Sequence, residues 1–220
     1  MSATRLPPVE VEIPLDDEPH EGLLGLPPSP VGLVLFAHGS GSSRLSPRNT
    51  LVAAVLHEHG VATLMFDLLT AEEDRVYATR FDIALLSHRL LGATRWVRQQ
   101  AQIGTLPLGY FGASTGAAAA LIAAATLGDG IRAVVSRGGR PDLAMPVLAD
   151  VTAPTLLIVG GLDFPVIEMN EAAFRRLGGP KELRIVPGAT HLFEEPGTLE
   201  QVADAAADWF ARHLPETAGQ

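Results

Sequence analysis

Short, almost uninterrupted apolar runs alternate along this chain with longer stretches whose apolar residues recur every three or four positions. The runs are residues 31–37, 61–66, 106–111, 131–136, 155–159 and 183–186. Each predicts a strand covered on both faces, because a half-exposed strand would alternate polar and apolar residues. Between them, Leu51, Val55 and His59 predict one helix face, with Ser46-Pro47 as its start and Gly60 as its stop. Ile83, Leu86, Leu90, Ala93, Val97 and Ala101 predict a long amphipathic helix. Residues 117–127 and 164–177 predict two more, the second ended by Gly178-Gly179-Pro180, and Val202, Ala206, Trp209 and His213 mark a last one. Strands separated by helices make an α/β fold with a mostly parallel sheet and helices on both faces. Residues 9–13 and 23–26 are expected to add antiparallel edge strands. No repeat or long linker interrupts the pattern, so residues 1–220 read as one domain without a cap, with residues 1–8 and 215–220 frayed.

Composition narrows the function classes. With 220 residues, 47% hydrophobic and 19% charged, the chain can bury one sizeable core. A net charge of −9 argues against nucleic acid or an anionic membrane surface as partner. The absence of cysteine removes disulfides, a thiol nucleophile and thiolate metal sites, and fits a cytoplasmic setting. Residues 1–8 hold one arginine and no apolar core, unlike a signal peptide. Residues 111–128 are uncharged but mostly Ala, Gly, Ser and Thr, which suits a buried helix behind a strand better than a membrane span. No H-x-x-x-H or H-E-x-x-H pattern occurs, so neither a metal nor another cofactor is expected.

The chemistry gathers where strands end. Gly112-Ala113-Ser114-Thr115-Gly116 reads G-x-S-x-G between an apolar run and an alanine-rich helix, the context of a serine on a sharp strand-to-helix turn. About 0.1 such patterns are expected by chance in a chain with 22 glycines, so the motif needs companions. Three arrive after other strands: His38-Gly39-Ser40-Gly41-Ser42, then Asp163 behind Gly160-Gly161-Leu162, then His191 in Gly188-Ala189-Thr190-His191. A serine hydroxyl needs a base, histidine titrates near working pH, and a carboxylate on its far nitrogen holds the tautomer. Ser114, His191 and Asp163 fit those roles. Asp142 and Glu168 are the rival acids, and capping the helix near Phe164 is the plain structural job for Asp163.

The order Ser, Asp, His on this strand–helix alternation resembles the α/β-hydrolase superfamily, and the compact length is most similar to its dienelactone-hydrolase-related branch. The resemblance runs from about Val31 to Leu214 and rests on the HG of HGSGS, GASTG, GGLD and GATH in that order. Enzymes of that name usually carry Cys at the elbow, where this chain has Ser114. The resemblance implies an oxyanion hole built from the backbone N–H of Thr115 and one from the loop after the first core strand, with Ser40 expected and Gly39 or Gly41 as alternatives. His38 is expected to position that loop.

The expected activity is cleavage of a small carboxylic ester or lactone through an acyl-enzyme, with a small-molecule substrate as partner and a monomer or homodimer as the assembly. A thioesterase, an acyltransferase and a silent ligand-binding protein on the same scaffold are the alternatives. Arg137 and Arg140, in a segment following a strand, and Arg44 are candidate substrate-binding residues. The plain structural readings are an Arg140–Asp142 or Arg137–Asp142 pair, and Arg44 and Asp67 bracing loops. Glu194 and Glu195 are further candidate partners for these arginines. The segment 72–81 is long enough to fold over the site.

Overall fold

The computed structural model describes residues 7–215. Eight strands hydrogen-bond into one sheet: β1 (Val9–Leu15), β2 (Glu18–Gly25), β3 (Gly32–Ala37), β4 (Val61–Phe66), β5 (Leu108–Ala113), β6 (Ala133–Arg137), β7 (Thr155–Gly160) and β8 (Lys181–Val186). Their spatial order is β1-β2-β4-β3-β5-β6-β7-β8. β1 pairs antiparallel with β2 and β2 antiparallel with β4, while β3 to β8 are parallel neighbours. Every residue of β3, β4, β5, β6 and β7 is buried, as their unbroken apolar runs require. β8 is half-exposed and is the edge strand of the sheet among the described residues.

Among the described residues five α-helices cover the sheet, α1 (Pro47–Glu58), α3 (Ile83–Arg98), α4 (Thr115–Leu127), α5 (Phe164–Arg176) and α6 (Thr198–His213), while the short α2 (Ala71–Asp74) buries none of its residues. α3, α4 and α5 close one face over Leu35, Tyr110, Val134 and Leu157. α1 and α6 close the other over Val34, Phe111, Val135 and Ile158. Nine residues of α4 are buried, and its alanines let it lie close against the sheet. No helix among the described residues is long and apolar enough to cross a membrane.

Several expectations shift. In α1 the centre of the buried face is Val52, Ala53 and Leu56, and Leu51 and Val55 only flank it. α1 packs against α6 as well as against the sheet, which sets the buried face. α3 stops at Arg98, so Ala101 falls in the following turn and is exposed, while Ile103 is buried instead. β5 begins at Leu108 because Pro107 has no N–H to pair, and its carbonyl accepts from Leu33 N. Pro141–Asp150, for which the periodicity predicts no element, winds into a 3-10 segment packed on α4 and α5. The frayed ends expected at residues 1–8 and 215–220 fall mostly outside the described residues.

The strand order reverses at β3: β4 lies on one side and β5 on the other. Connections leave in opposite directions there, which opens a crevice at the carboxyl ends of β3 and β5.

Candidate active site

The crevice receives Ser114. Its backbone sits at φ +50° and ψ −121°, a conformation a side chain rarely adopts. Neighbours hold it there. Ser114 N–H donates to Arg137 O at 3.3 Å, and Ser114 O accepts from Arg140 N at 3.0 Å and from Ala117 N at 3.1 Å. Glycines are needed for close contact here: a Cβ on Gly116 would collide with the Ala37 carbonyl, and one on Gly39, in the loop after β3, would lie 2.9 Å from Ser114 Cβ. Ser114 is the N-cap of α4, yet its hydroxyl makes no capping bond. Ser46, in the same position on α1, does accept from Asn49 N. The Ser114 oxygen is therefore left free at a half-exposed position at the N-terminus of α4.

Asp163 and His191 come from the ends of β7 and β8. His191 Nδ1 donates to Asp163 Oδ2 at 2.7 Å. Asp163 is the N-cap of α5 but makes no capping bond, so its carboxylate serves the imidazole. The rival acids are engaged or distant: Asp142 takes both Nε and Nη2 of Arg140 at 2.8 Å, and Glu168 lies within α5. The loop carrying His191 is tied by Thr190, whose N–H and hydroxyl donate to Glu195 at 3.0 and 2.7 Å. Those bonds lower the Glu195 pKa. Gly138, at φ +50°, lies against His191; a Cβ there would sit 3.2 Å from His191 O and 3.6 Å from Cε1. Residues 137–140 thus touch both the serine elbow and the histidine. The Ser114 hydroxyl and the His191 ring form no hydrogen bond in this structure.

The loop after β3 is held by His38. Its Nδ1 donates to Gly39 O at 3.1 Å and its Nε2 accepts from Leu68 N at 3.0 Å, which requires a neutral ring. Burial lowers the His38 pKa, in keeping with that form. Ser40 N–H donates to Thr115 Oγ1 at 3.1 Å, so the loop and the elbow are joined next to Ser114. A cavity of about 580 Å³ flanks this loop, walled by His20, His38, Arg44, Asp67 and Glu72 among others, and neither Ser114 nor His191 lines it. Arg80 reaches the loop from the 72–81 segment, 3.7 Å from where a Gly41 Cβ would stand.

The three candidate arginines separate. Arg44 binds Asp67 through its N–H at 2.6 Å and through its guanidinium, and Glu21 at 2.6 Å; it braces β2, β4 and their loops. Arg140 is spent on Asp142. Arg137 is buried, and no carboxylate among the described residues pairs with it. Glu194 pairs with Arg48 at 3.4 Å, and Glu195 with Thr190, so neither serves the arginines expected. Asn170 is a residue that sequence patterns do not reveal. Fully buried on α5, it donates to Gly139 O at 3.0 Å and so steadies the loop beneath Ser114. An isolated asparagine in a helix carries no signal of a partner 31 residues away.

The profile of the dienelactone hydrolase family matches residues 44–215. A crystal structure described as dienelactone hydrolase from Anabaena variabilis is 53% identical, covers 95% of this chain and 100% of its own, and superposes with a TM-score of 0.91. Est1E from Butyrivibrio proteoclasticus, at 18% identity over 92% of this chain and 98% of its own, shares the fold with a TM-score of 0.80. A Mycobacterium tuberculosis protein named "Putative phosphoribosyl transferase" is 58% identical over 205 residues, which are 93% of this chain but 46% of that protein. The chain therefore spans about half the length of the curated relatives it matches. Family profile and near-complete structural match agree with the sheet order and the elbow, and the chain belongs to the dienelactone hydrolase family, hydrolases of the α/β-hydrolase fold.

Proposed function

We propose that this chain is a serine hydrolase cleaving a small carboxylic ester or lactone through an acyl-enzyme. The observation that carries the reading is the 2.7 Å bond from His191 Nδ1 to an aspartate that caps nothing. With Nδ1–H held by Asp163, the lone pair is on Nε2, the form a general base needs. Ser114 Oγ attacks the carbonyl carbon and passes its proton to His191 Nε2. Negative charge gathers on the carbonyl oxygen and is received by the N–H groups of Thr115 and Ser40. In the resting protein Ser40 N–H is aimed by Thr115 Oγ1 and is released to the oxyanion as it forms. Collapse breaks the C–O bond, and His191 gives the proton to the departing alcohol oxygen. Water, deprotonated by the same nitrogen, then attacks the acyl-enzyme and frees the acid and Ser114.

The surroundings suit an apolar acyl or aryl portion. Leu45, Tyr77, Phe81, Leu162, Phe164 and Leu192 are exposed large apolar residues, and all follow the carboxyl ends of strands. Solvent-exposed apolar groups collected at one edge mark a binding face. The transferase name of the mycobacterial relatives describes proteins more than twice the matched length. The test is labelling of the folded protein with a fluorophosphonate, with Ser114→Ala as control, alongside p-nitrophenyl esters of graded acyl length and a dienelactone. An adduct on Ser114 and ester turnover are expected; a folded protein that takes no label sinks the reading.

A further inference from the structure

We propose that Arg137 and Arg48 form a binding site for a small oxyanion, a phosphate or carboxylate group, beneath the loop that carries His191. Arg137 closes β6 and is only 8% exposed. Its guanidinium carbon stands 6.0 Å from the centre of the Phe111 ring, and its Nη1 is buried with no hydrogen-bond partner. Burial and then the neighbouring Arg48 charge press its pKa down to about 10, which leaves it cationic at neutral pH. Arg48, the second residue of α1, has a buried Nε that is also unpartnered. Among the described residues its one carboxylate is the exposed Glu194, at 3.4 Å.

Contrast with the other arginines makes the pair distinctive. Arg89 is as buried, and it holds Asp16 at 2.7 Å and Glu73 at 2.9 Å. Arg44, Arg80 and Arg140 each have a carboxylate. Among the described residues, only at Arg137 and Arg48 do two guanidinium groups repel each other with buried donors unused. A buried charge is normally paired, since its lost hydration must be replaced. An oxyanion between the two would accept from both buried donors, and the guanidinium fork suits carboxylate and phosphate oxygens. Arg137 is also one residue from Gly138, which touches His191, and its carbonyl accepts from Ser114 N–H. The anion can be a free ion or a group borne by the substrate; only the second depends on the hydrolase reading above.

The test is thermal unfolding and calorimetric titration with inorganic phosphate, with sodium chloride matching the ionic strength. The wild-type protein is expected to bind phosphate and to melt higher in it than in chloride. Arg137→Met, which keeps the apolar stem, should bind at least tenfold more weakly and lose that response, yet melt no lower than wild type in chloride. Arg48→Gln, at a half-exposed position, should weaken binding several-fold and guards against a folding defect in the first variant. No phosphate binding to wild type, or equal binding to Arg137→Met, overturns the site. The source is read from kinetics on a p-nitrophenyl glutarate monoester and p-nitrophenyl valerate. Phosphate that competes with the glutarate alone marks a substrate-borne group, and phosphate that binds without inhibiting either marks a free ion.

Discussion

His191 Nδ1 lies 2.7 Å from Asp163 Oδ2, although Asp163 occupies a helix N-cap where aspartate ordinarily bonds to the helix itself. The helix forgoes that bond, and the carboxylate turns to the imidazole. The choice separates the aspartate's proposed part in catalysis from any part in stability. Asp163→Asn should therefore lower kcat/KM by about four orders of magnitude, because an amide no longer selects the Nδ1–H tautomer. The melting temperature should move by only a few degrees, since no capping bond is lost. Steady-state kinetics and a thermal melt check both halves; an active variant would return the acid's role to another carboxylate.

Ser114 stores strain. At φ +50° and ψ −121° a Cβ is unfavourable and a glycine is not. Ser114→Gly should raise stability by about 1–2 kcal/mol while abolishing ester turnover, whereas Ser114→Ala should abolish turnover and leave stability almost unchanged. Denaturant unfolding of the two variants beside wild type reads the difference. A Gly variant less stable than the Ala variant contradicts the argument.

Gly39 has no room for a side chain. A Cβ there would meet Ser114 Cβ at 2.9 Å and Ala113 O at 3.1 Å, both on the elbow. Gly39→Ala should push the 39–42 loop away from Thr115 and cut kcat by about 10- to 100-fold, with a smaller change in KM, because misplaced donors stabilise the transition state poorly. Kinetics on a single p-nitrophenyl ester are sufficient to measure this.

Away from the site, Tyr110 and Thr94 share a 2.6 Å bond inside the core. Burial pushes the Tyr110 pKa upward, so the phenol stays neutral and its hydroxyl needs a partner. Thr94→Val should destabilise by about 1–3 kcal/mol. Adding Tyr110→Phe removes the stranded hydroxyl and should recover most of that loss. Chemical denaturation of the two single variants and the double variant tests the coupling.

Stability should fall on mild acidification. The folded protein holds His38 neutral and lowers its pKa below the ordinary 6.5 through burial. The unfolded chain takes up a proton near pH 6.5 that the folded form refuses, so this contribution is whole above that pH and shrinks as pH drops below it. His213, with a pKa also lowered by burial, acts in the same direction. The fall in melting temperature from pH 7.5 to 5 should be smaller in His38→Gln than in wild type. An equal fall in both would remove His38 from the account.

The local pattern decides much here. Unbroken apolar runs can only be strands covered twice, so β3 to β7 were legible from hydrophobicity alone. Ser46-Pro47 announced α1, and G-x-S-x-G between a strand and an alanine-rich helix announced the elbow. That Ser114, Asp163 and His191 stand at one edge was legible because each follows a strand, and parallel strands deliver their carboxyl ends to one edge. Spacing did not decide which carboxylate reaches which cation. Arg44 meets Asp67 across 23 residues and Arg48 meets Glu194 across 146, contacts set by strand order. The same applies to Leu51 and Val55, which periodicity placed at the centre of a face that α6 shifted to Val52 and Leu56. Arg137 is the sharpest case. Its sequence neighbours offered Asp142, which Arg140 took, and only the packed fold left it buried beside Arg48 without a counter-ion. Hydrophobic periodicity is a property of neighbours along the chain, whereas the pairing of charges depends on distances that exist only after the sheet has closed.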